Sequence, residues 1–165
     1  MVVALIGFMA CGKSTFGRAA ASLLGWKFAD LDELIMPWMS AGEALRRMGE
    51  AAFRERETEA LKVALASEDN MILALGGGTP LREENRRLLK DGCRTVWLRT
   101  SMDIIWSEIG NSDRPLAKDR TREELQAMYD ARKPAYESAA DFVFPVESMD
   151  YEQVAADLAA FIKDI

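Results

Sequence analysis

The chain has 165 residues, a length typical of one domain, and its 49% hydrophobic content is enough to form a core. Its 27 acidic and 21 basic residues give a net charge of −6. This charge argues against nucleic acid as a partner, because binding to a phosphate backbone needs a basic face. Histidine is absent, which excludes Ser-His and Cys-His nucleophiles and histidine-based metal sites.

Five strands alternate with helices along the chain. Short apolar runs predict strands at Val2–Ile6, Trp26–Ala29, Met71–Leu75, Arg94–Leu98 and Asp141–Val146. Amphipathic stretches predict helices at Lys13–Leu24, Leu31–Met39, Glu50–Ser67, Arg82–Lys90, Met102–Ile109, Arg122–Glu137 and Tyr151–Lys163. Thr121 and Glu124 have the spacing of a capping box. This alternation predicts an α/β three-layer sandwich in which helices cover both faces of a five-stranded parallel sheet.

Ligands of such sheets bind beyond the carboxyl ends of the strands, so the loops at that edge are candidate site segments. They are Gly7–Ser14, Asp30–Asp32, Gly76–Gly78 and the loop after Leu98. Two regions break the alternation. Pro37 to Gly49 predicts a small helical flap. Gly110 to Arg120 is polar and lies between two helices, which favours a mobile lid over an ordinary solvated loop.

Residues 7–14, GFMACGKS, follow the first predicted strand and have the spacing of a phosphate-binding loop. Glycines in such a loop let backbone amides turn toward phosphate oxygens, and the following helix adds its dipole. Lys13 would reach the β- and γ-phosphates, and the Ser14 hydroxyl would bind Mg²⁺. The alternative, a glycine-rich turn beside an exposed lysine, does not explain the strand and helix around it. The loop predicts binding of a nucleoside triphosphate.

Two acidic residues and three glycines follow the next two strands of the predicted sheet. Asp30 and Asp32 are two residues apart, so an extended backbone points both carboxylates the same way, one toward Mg²⁺ and one toward a substrate hydroxyl. A helix cap followed by a first-turn acid is the alternative. Gly76–Gly78 predicts close approach of a ligand to the main chain, against a flexible turn before Pro80. The guanine-reading N-K-x-D and the D-x-x-G of GTPases do not occur.

The arginines are harder to select, because residue type alone does not separate solvated from functional side chains. Arg54, Arg114 and Arg132 are candidates. The guanidinium fork suits both carboxylate and phosphate, so an acidic substrate would favour such residues.

Taken together, these motifs resemble the shikimate kinase family, a branch of the nucleoside monophosphate kinase-like P-loop fold. The resemblance extends from residue 2 to about residue 146. The matching pieces are Gly7–Thr15, DLDELI at 30–35, GEAAFRERE at 49–57, LGGGTP at 75–80, RPL at 114–116 and ARKPAYESAADFVF at 131–144.

The resemblance implies one P-loop kinase domain over residues 1–165, with strand order 2-3-1-4-5, a substrate-binding segment at about 31–60 and a lid at about 110–122. It implies ATP-dependent phosphorylation of the 3-hydroxyl of shikimate, with Mg²⁺, giving shikimate 3-phosphate and ADP. A kinase for another polyol acid such as gluconate is the alternative enzyme, and a nucleotide-binding regulatory module is the alternative outside catalysis.

Carried over by residue, the resemblance implies catalytic roles for Lys13, Asp32 and Arg114. The implied nucleotide-binding residues are Ala10, Cys11, Gly12, Lys13, Ser14, Thr15 and Arg114. The implied shikimate-binding residues are Asp32, Arg54, Gly76, Gly77, Gly78 and Arg132, and the implied Mg²⁺ residues are Ser14 and Asp30.

The sequence departs from the family pattern at two places. The segment from Asp32 to Phe53 is slightly short and contains Pro37, and Ser107 stands where many members carry a basic residue that stacks on adenine. The two cysteines do not suggest a disulfide framework. The first apolar run is too short for a membrane span, and no basic segment precedes it. We therefore expect a cytoplasmic monomer without membrane or nucleic-acid partners.

Overall fold

A five-stranded parallel sheet forms the centre of the molecule, with strand order β2-β3-β1-β4-β5. The structure is a computed structural model and describes residues 1–110 and 119–165. The strands are β1 (Val2–Ile6), β2 (Lys27–Asp30), β3 (Met71–Ala74), β4 (Arg94–Thr100) and β5 (Phe142–Val146). The predicted fold class and strand order are confirmed.

Helices connect the strands and lie on both faces of the sheet. The described helices are α1 (Lys13–Leu24), α2 (Leu31–Ile35), α3 (Ala41–Met48), α4 (Glu50–Leu65), α5 (Glu83–Gly92), α6 (Met102–Gly110), α7 (Arg122–Ala139) and α8 (Tyr151–Asp164). A short 3₁₀ turn at Thr79–Leu81 precedes α5.

The two faces of β1 build two separate cores, because successive side chains of a strand point to opposite faces. Val3 and Leu5 pack in the cluster that contains α1 and α8. Ala4 and Ile6 pack in the cluster that contains α3, α4, α5 and α7. Every residue of β1 and β3 is buried, which explains why both strands are almost continuously apolar.

The strand register brings the carboxyl ends of the strands to one edge. Leu5 and Asp30 both pair with Ala74, and Ile6 pairs with Trp97. The segments that follow β1, β2 and β3 therefore begin side by side. The sequence analysis predicted that these segments lie together at one edge of the sheet.

The segment after β2 differs from its predicted boundaries. The helix predicted to reach Met39 ends at Ile35, because a residue before proline avoids the helical region and Pro37 follows closely. A second helix, α3, then forms inside the predicted flap, and the Ser40 hydroxyl caps it by accepting from the Glu43 amide. The helical flap is confirmed.

Helix α7 begins with the predicted capping box. The Thr121 hydroxyl accepts from the Glu124 amide, and the Glu124 carboxylate accepts from the Thr121 amide. The predicted lid at Gly110–Arg120 falls for the most part outside the described residues, and so does Arg114.

Candidate active site

A loop between β1 and α1 forms one end of the site. Two of its glycines are required by the backbone: Gly7 has φ +148° and Gly12 has φ +90°. A methyl group added at Gly12 would lie 2.2 Å from the Phe16 ring. Helix α1 begins at Lys13 with no side-chain cap. Its first amides are thus left for an anion, and the helix dipole favours negative charge there.

The Lys13 ammonium lies over this loop. It donates to the Gly7 carbonyl at 2.9 Å and to the Phe8 carbonyl at 2.8 Å. The Cys11 sulfur is 3.7 Å away. Cys11 is 1% exposed, so its thiol is buried within the loop.

Ser14 and Asp30 form a pair of oxygen donors beside the loop. The Ser14 hydroxyl donates to Asp30 Oδ2 at 2.5 Å, and Asp30 Oδ1 accepts from the Asp32 amide at 3.0 Å. Asp30 is therefore both the cap of α2 and a partner of Ser14. Within the described ranges, no group of three or more acidic or cysteine residues is arranged to hold a metal by itself. The pair fits Mg²⁺, which is commonly held by few protein ligands together with nucleotide phosphates and water.

Asp32 lies in the first turn of α2 and faces the cavity. The extended backbone predicted for Asp30–Asp32 is wrong, and the alternative, a helix cap followed by a first-turn acid, is what the structure has. Burial, followed by the neighbouring Asp30 and Glu57 carboxylates, raises the pKa of Asp32 to about 6, against the opposing effect of Lys13 and Arg54. A methyl group added at Gly76 would lie 3.1 Å from Asp32 Oδ1. Asp32 thus has the pKa of a proton acceptor that works near neutral pH.

A buried carboxylate fixes the direction of Arg54. Glu57 is 1% exposed, and its Oε1 accepts from the Arg54 guanidinium at 2.8 Å. Its Oε2 accepts from the Thr79 hydroxyl at 2.7 Å. A methyl group added at Gly78 would lie 2.6 Å from the other terminal nitrogen of Arg54. Sequence reasoning missed Glu57, because the charged run around it resembles a solvated helix face. The one available signal was its spacing from Arg54 by one helical turn, which is typical of a side-chain pair.

Arg132 reaches the same cavity from α7. Its guanidinium carbon lies 5.7 Å from the centre of the Phe8 ring. A methyl group added at Gly77 would lie 3.2 Å from Arg132 Nη1. The three glycines thus leave room for the Asp32, Arg54 and Arg132 side chains. The predicted close approach of a ligand to this main chain stays a prediction.

One cavity of about 330 Å³ joins these groups. The helical flap contributes Ala41, Gly42 and Leu45 to its wall, and Arg120, which the sequence did not single out, also lines it. The predicted site residues that line this cavity are Ala10, Gly12, Lys13, Ser14, Thr15, Asp30, Asp32, Arg54, Gly76, Gly77, Gly78 and Arg132.

A second cavity of about 180 Å³ adjoins the phosphate loop and shares Ala10, Gly12 and Thr15 with the first. Its outer wall is formed by Glu108 of α6 and Tyr151 of α8, with Phe16 and Met149. Ser107 is exposed and does not line it, so Glu108 is the α6 residue at this position. Sequence reasoning missed Tyr151, because it lies far along the chain from the loop.

A phosphate loop at the carboxyl edge of a parallel sheet, facing a carboxylate and two arginines, defines a P-loop kinase for a small acidic acceptor. The family model "Shikimate kinase" matches residues 9–163, and the chain belongs to this family. The predicted family is confirmed.

Individual relatives agree with this assignment over nearly the whole chain. A shikimate kinase from Geobacter sulfurreducens is 39% identical over 98% of this chain and 91% of its own length. The crystal structure of a shikimate kinase from Bacteroides thetaiotaomicron has a TM-score of 0.88, with 26% identity over 99% of this chain and 98% of that one. A shikimate kinase from Acinetobacter baumannii, solved in complex with shikimate, has a TM-score of 0.87, with 28% identity over 99% and 93%.

In the part of the chain that the structure describes, no helix combines the length and apolar character that a membrane span requires.

Proposed function

We propose that this protein transfers the γ-phosphate of ATP to the 3-hydroxyl of shikimate, giving shikimate 3-phosphate and ADP. One observation supports this most directly: a single cavity has a phosphate loop at one end and a carboxylate flanked by two arginines at the other. Membership of the shikimate kinase family supports the choice of acceptor. The catalytic unit is one domain over residues 1–165, with the acceptor segment at about 31–60.

On the nucleotide side, the residues bind and neutralise phosphate. The loop amides and the first turn of α1 bind the β- and γ-phosphates, and Lys13 leaves the loop carbonyls to reach the same oxygens. Ser14 and Asp30 hold Mg²⁺, which when bound neutralises charge on the phosphates. The second cavity accepts the nucleotide base, with Tyr151 beside it.

On the acceptor side, the residues orient the nucleophile. Arg54 and Arg132 bind the carboxylate of shikimate, which fixes the ring. Asp32 accepts the proton of the 3-hydroxyl while the hydroxyl oxygen forms a bond to the γ-phosphorus. In the same step, the bond between the γ-phosphorus and the bridging oxygen breaks, and ADP leaves. A pKa of about 6 keeps Asp32 mostly ionised at pH 7 and still basic enough to take the proton.

The lid supplies the last group in this proposal. Arg114 lies outside the described residues and stays a prediction, as does the lid at about 110–122. A guanidinium at that position would stabilise charge on the phosphoryl group in the transition state. We also propose a cytoplasmic monomer without nucleic-acid or membrane partners, and the net charge of −6 supports the absence of a nucleic-acid partner.

The decisive experiment is ADP release from Mg²⁺-ATP in a coupled assay, with shikimate, with gluconate and with neither. We expect turnover that depends on shikimate. Asp32→Asn should lose this turnover and keep ADP binding, whereas Asp91→Asn, at an exposed position on α5, should behave like the wild type.

The alternatives give different results in the same assay. Turnover with gluconate and not shikimate would replace the acceptor; neither the site nor the relatives described above support that outcome. ADP binding without turnover on either acid would indicate a nucleotide-binding regulatory module.

A further inference from the structure

The three carbonyls of the triple-glycine segment all accept hydrogen bonds inside the protein. The Gly76 carbonyl accepts from the Thr79 amide and the Gly78 carbonyl from the Leu81 amide, both at 3.1 Å. The carbonyl of Gly77 has no such local partner. It accepts from the hydroxyl of Tyr136 on α7, at 2.7 Å and 59 positions further along the chain.

The amides of Gly77 and Gly78 differ from these carbonyls. Among the described residues, no acceptor is found for the amides of Gly77 and Gly78, although both glycines line the large cavity. A trans peptide points its carbonyl and its amide in opposite directions. The bond from Tyr136 to the Gly77 carbonyl therefore also sets the direction of the Gly78 amide.

Tyr136 is well placed to hold this orientation. Its side chain is 0% exposed, and its ring packs against Trp97 with 5.8 Å between ring centres. Burial raises the pKa of Tyr136, against the opposing charge of Arg132, so the hydroxyl stays protonated and donates. Arg132 lies one helical turn earlier on the same helix.

We propose that Tyr136 is a positioning residue for the acceptor: it holds the Gly77–Gly78 peptide so that the segment presents amide donors to a ring hydroxyl of the substrate. This inference rests on the proposed function, since the acceptor is a hydroxylated acid. Helix α7 then serves two parts of that molecule, with Arg132 at its carboxylate and Tyr136 acting through the glycine amides at its ring.

The same contact joins the acceptor site to the nucleotide loop. A methyl group added at Gly77 would lie 3.4 Å from the Gly7 carbonyl and 3.6 Å from the Met9 amide nitrogen. Gly77 is therefore packed directly against the loop that binds phosphate. A peptide held at this position keeps acceptor and nucleotide at a fixed separation, which phosphoryl transfer needs.

The test compares Tyr136→Phe with the wild type by titrating shikimate into the ADP complex. Loss of one neutral hydrogen bond should raise the Kd for shikimate roughly three- to tenfold, with the Kd for ADP unchanged. The 4-deoxy and 5-deoxy analogues of shikimate report on the ring contact. For the analogue that lacks the hydroxyl contacted by the amides, the variant and the wild type should bind almost equally.

Tyr129→Phe is the matched control, because Tyr129 is another buried tyrosine of α7. In the described part of the chain, its hydroxyl makes no hydrogen bond to the glycine segment, unlike that of Tyr136. Tyr129→Phe should leave both Kd values unchanged. If Tyr136→Phe raised the Kd for ADP and for all three acids by the same factor, the residue would act only through general stability. That result would overturn the inference. A wild-type Kd in Tyr136→Phe would overturn it as well. Failure of the wild type itself to bind shikimate would instead overturn the proposed function.

Discussion

The two ends of the large cavity are built in different ways. At the nucleotide end, the proposed phosphate-binding groups belong to one continuous stretch, the backbone from Gly7 to Ser14 and the start of α1, with Asp30 beside it. The acceptor end draws side chains from separate elements: Asp32 from α2, Arg54 from α4 and Arg132 from α7. The first end depends on local chain geometry, whereas the second depends on tertiary packing.

A chain of buried hydrogen bonds supports the acceptor end. The side-chain amide of Asn85 donates to the Thr79 carbonyl at 2.9 Å. The Thr79 hydroxyl donates to Glu57, which is the partner of Arg54. Thr58 completes it by donating to Asn85 at 2.8 Å. Buried polar groups of this kind are costly unless all are satisfied, so the network specifies one arrangement of Arg54. Changes in it should affect the acid and spare the nucleotide.

The largest effect is expected for Arg114→Ala, which tests whether a lid joins the two ends during transfer. It should lower kcat by roughly 10³–10⁵-fold with a much smaller effect on ADP binding, because a lid arginine acts on transition-state charge. Steady-state kinetics and ADP titration measure the two quantities. The control is Arg46→Ala, at an exposed arginine of α3. A near-normal kcat would remove Arg114 from the mechanism.

Asp32→Asn should have the next largest effect, since it removes the proton acceptor while leaving the nucleotide end intact. We expect kcat to fall by roughly 10²–10⁴-fold. In the free wild-type enzyme, kcat/KM should rise with pH through an apparent pKa of about 6, the pKa of Asp32. An acidic limb far below pH 6 would mean that another group governs proton transfer.

The same variant should be more stable than the wild type at neutral pH. The folded-state pKa of Asp32, about 6, lies above the ordinary 3.8, so the folded protein binds this proton more tightly than the unfolded chain does. The contribution of the protonated Asp32 to stability is fully present below pH 3.8 and is lost as the pH rises through about 6. Asp32→Asn should therefore raise the free energy of unfolding at pH 7 by up to about 3 kcal/mol. Urea unfolding at pH 7 and pH 4 should show that the gain shrinks at the lower pH.

The same contrast explains how much of each end of the large cavity can be predicted from the sequence. The phosphate loop could be recognised from the spacing of Gly7, Gly12 and Lys13 because the chemistry lies in consecutive residues. Arg132 was a candidate alongside Arg54 and Arg114, but only the family resemblance gave it a role, since nothing local distinguishes it from a solvated arginine. Glu57 and Tyr136 were missed because their partners, Thr79 and Gly77, lie on other elements. Periodicity describes faces of helices and does not identify contacts between them.

Glu57→Gln should produce a moderate effect confined to the acceptor end. The amide keeps its shape and can still accept from Thr79, but the charge that orients Arg54 is lost. We expect the KM for shikimate to rise by about tenfold with the KM for ATP unchanged. Because the Glu57 charge raises the pKa of Asp32, the acidic limb of kcat/KM should also move to lower pH.

Glu55→Gln is the matched control for this variant, because Glu55 is exposed on the same helix. An equal rise in the KM for both substrates would show that the network supports the whole cavity, and the contrast between its two ends would then be wrong.

The smallest effect is expected at the base cavity, where the nucleotide end also depends on side chains from distant elements. Tyr151 is 51% exposed, and its ring lies 6.5 Å from that of Phe16. Tyr151→Ala should raise the KM for ATP roughly three- to tenfold by removing an aromatic surface from the base, and should leave the KM for shikimate unchanged. Tyr151→Phe should keep the wild-type KM, since the ring and not the hydroxyl makes the contact. If the KM for ATP does not change in Tyr151→Ala, the base binds elsewhere and the nucleotide end relies on its loop alone.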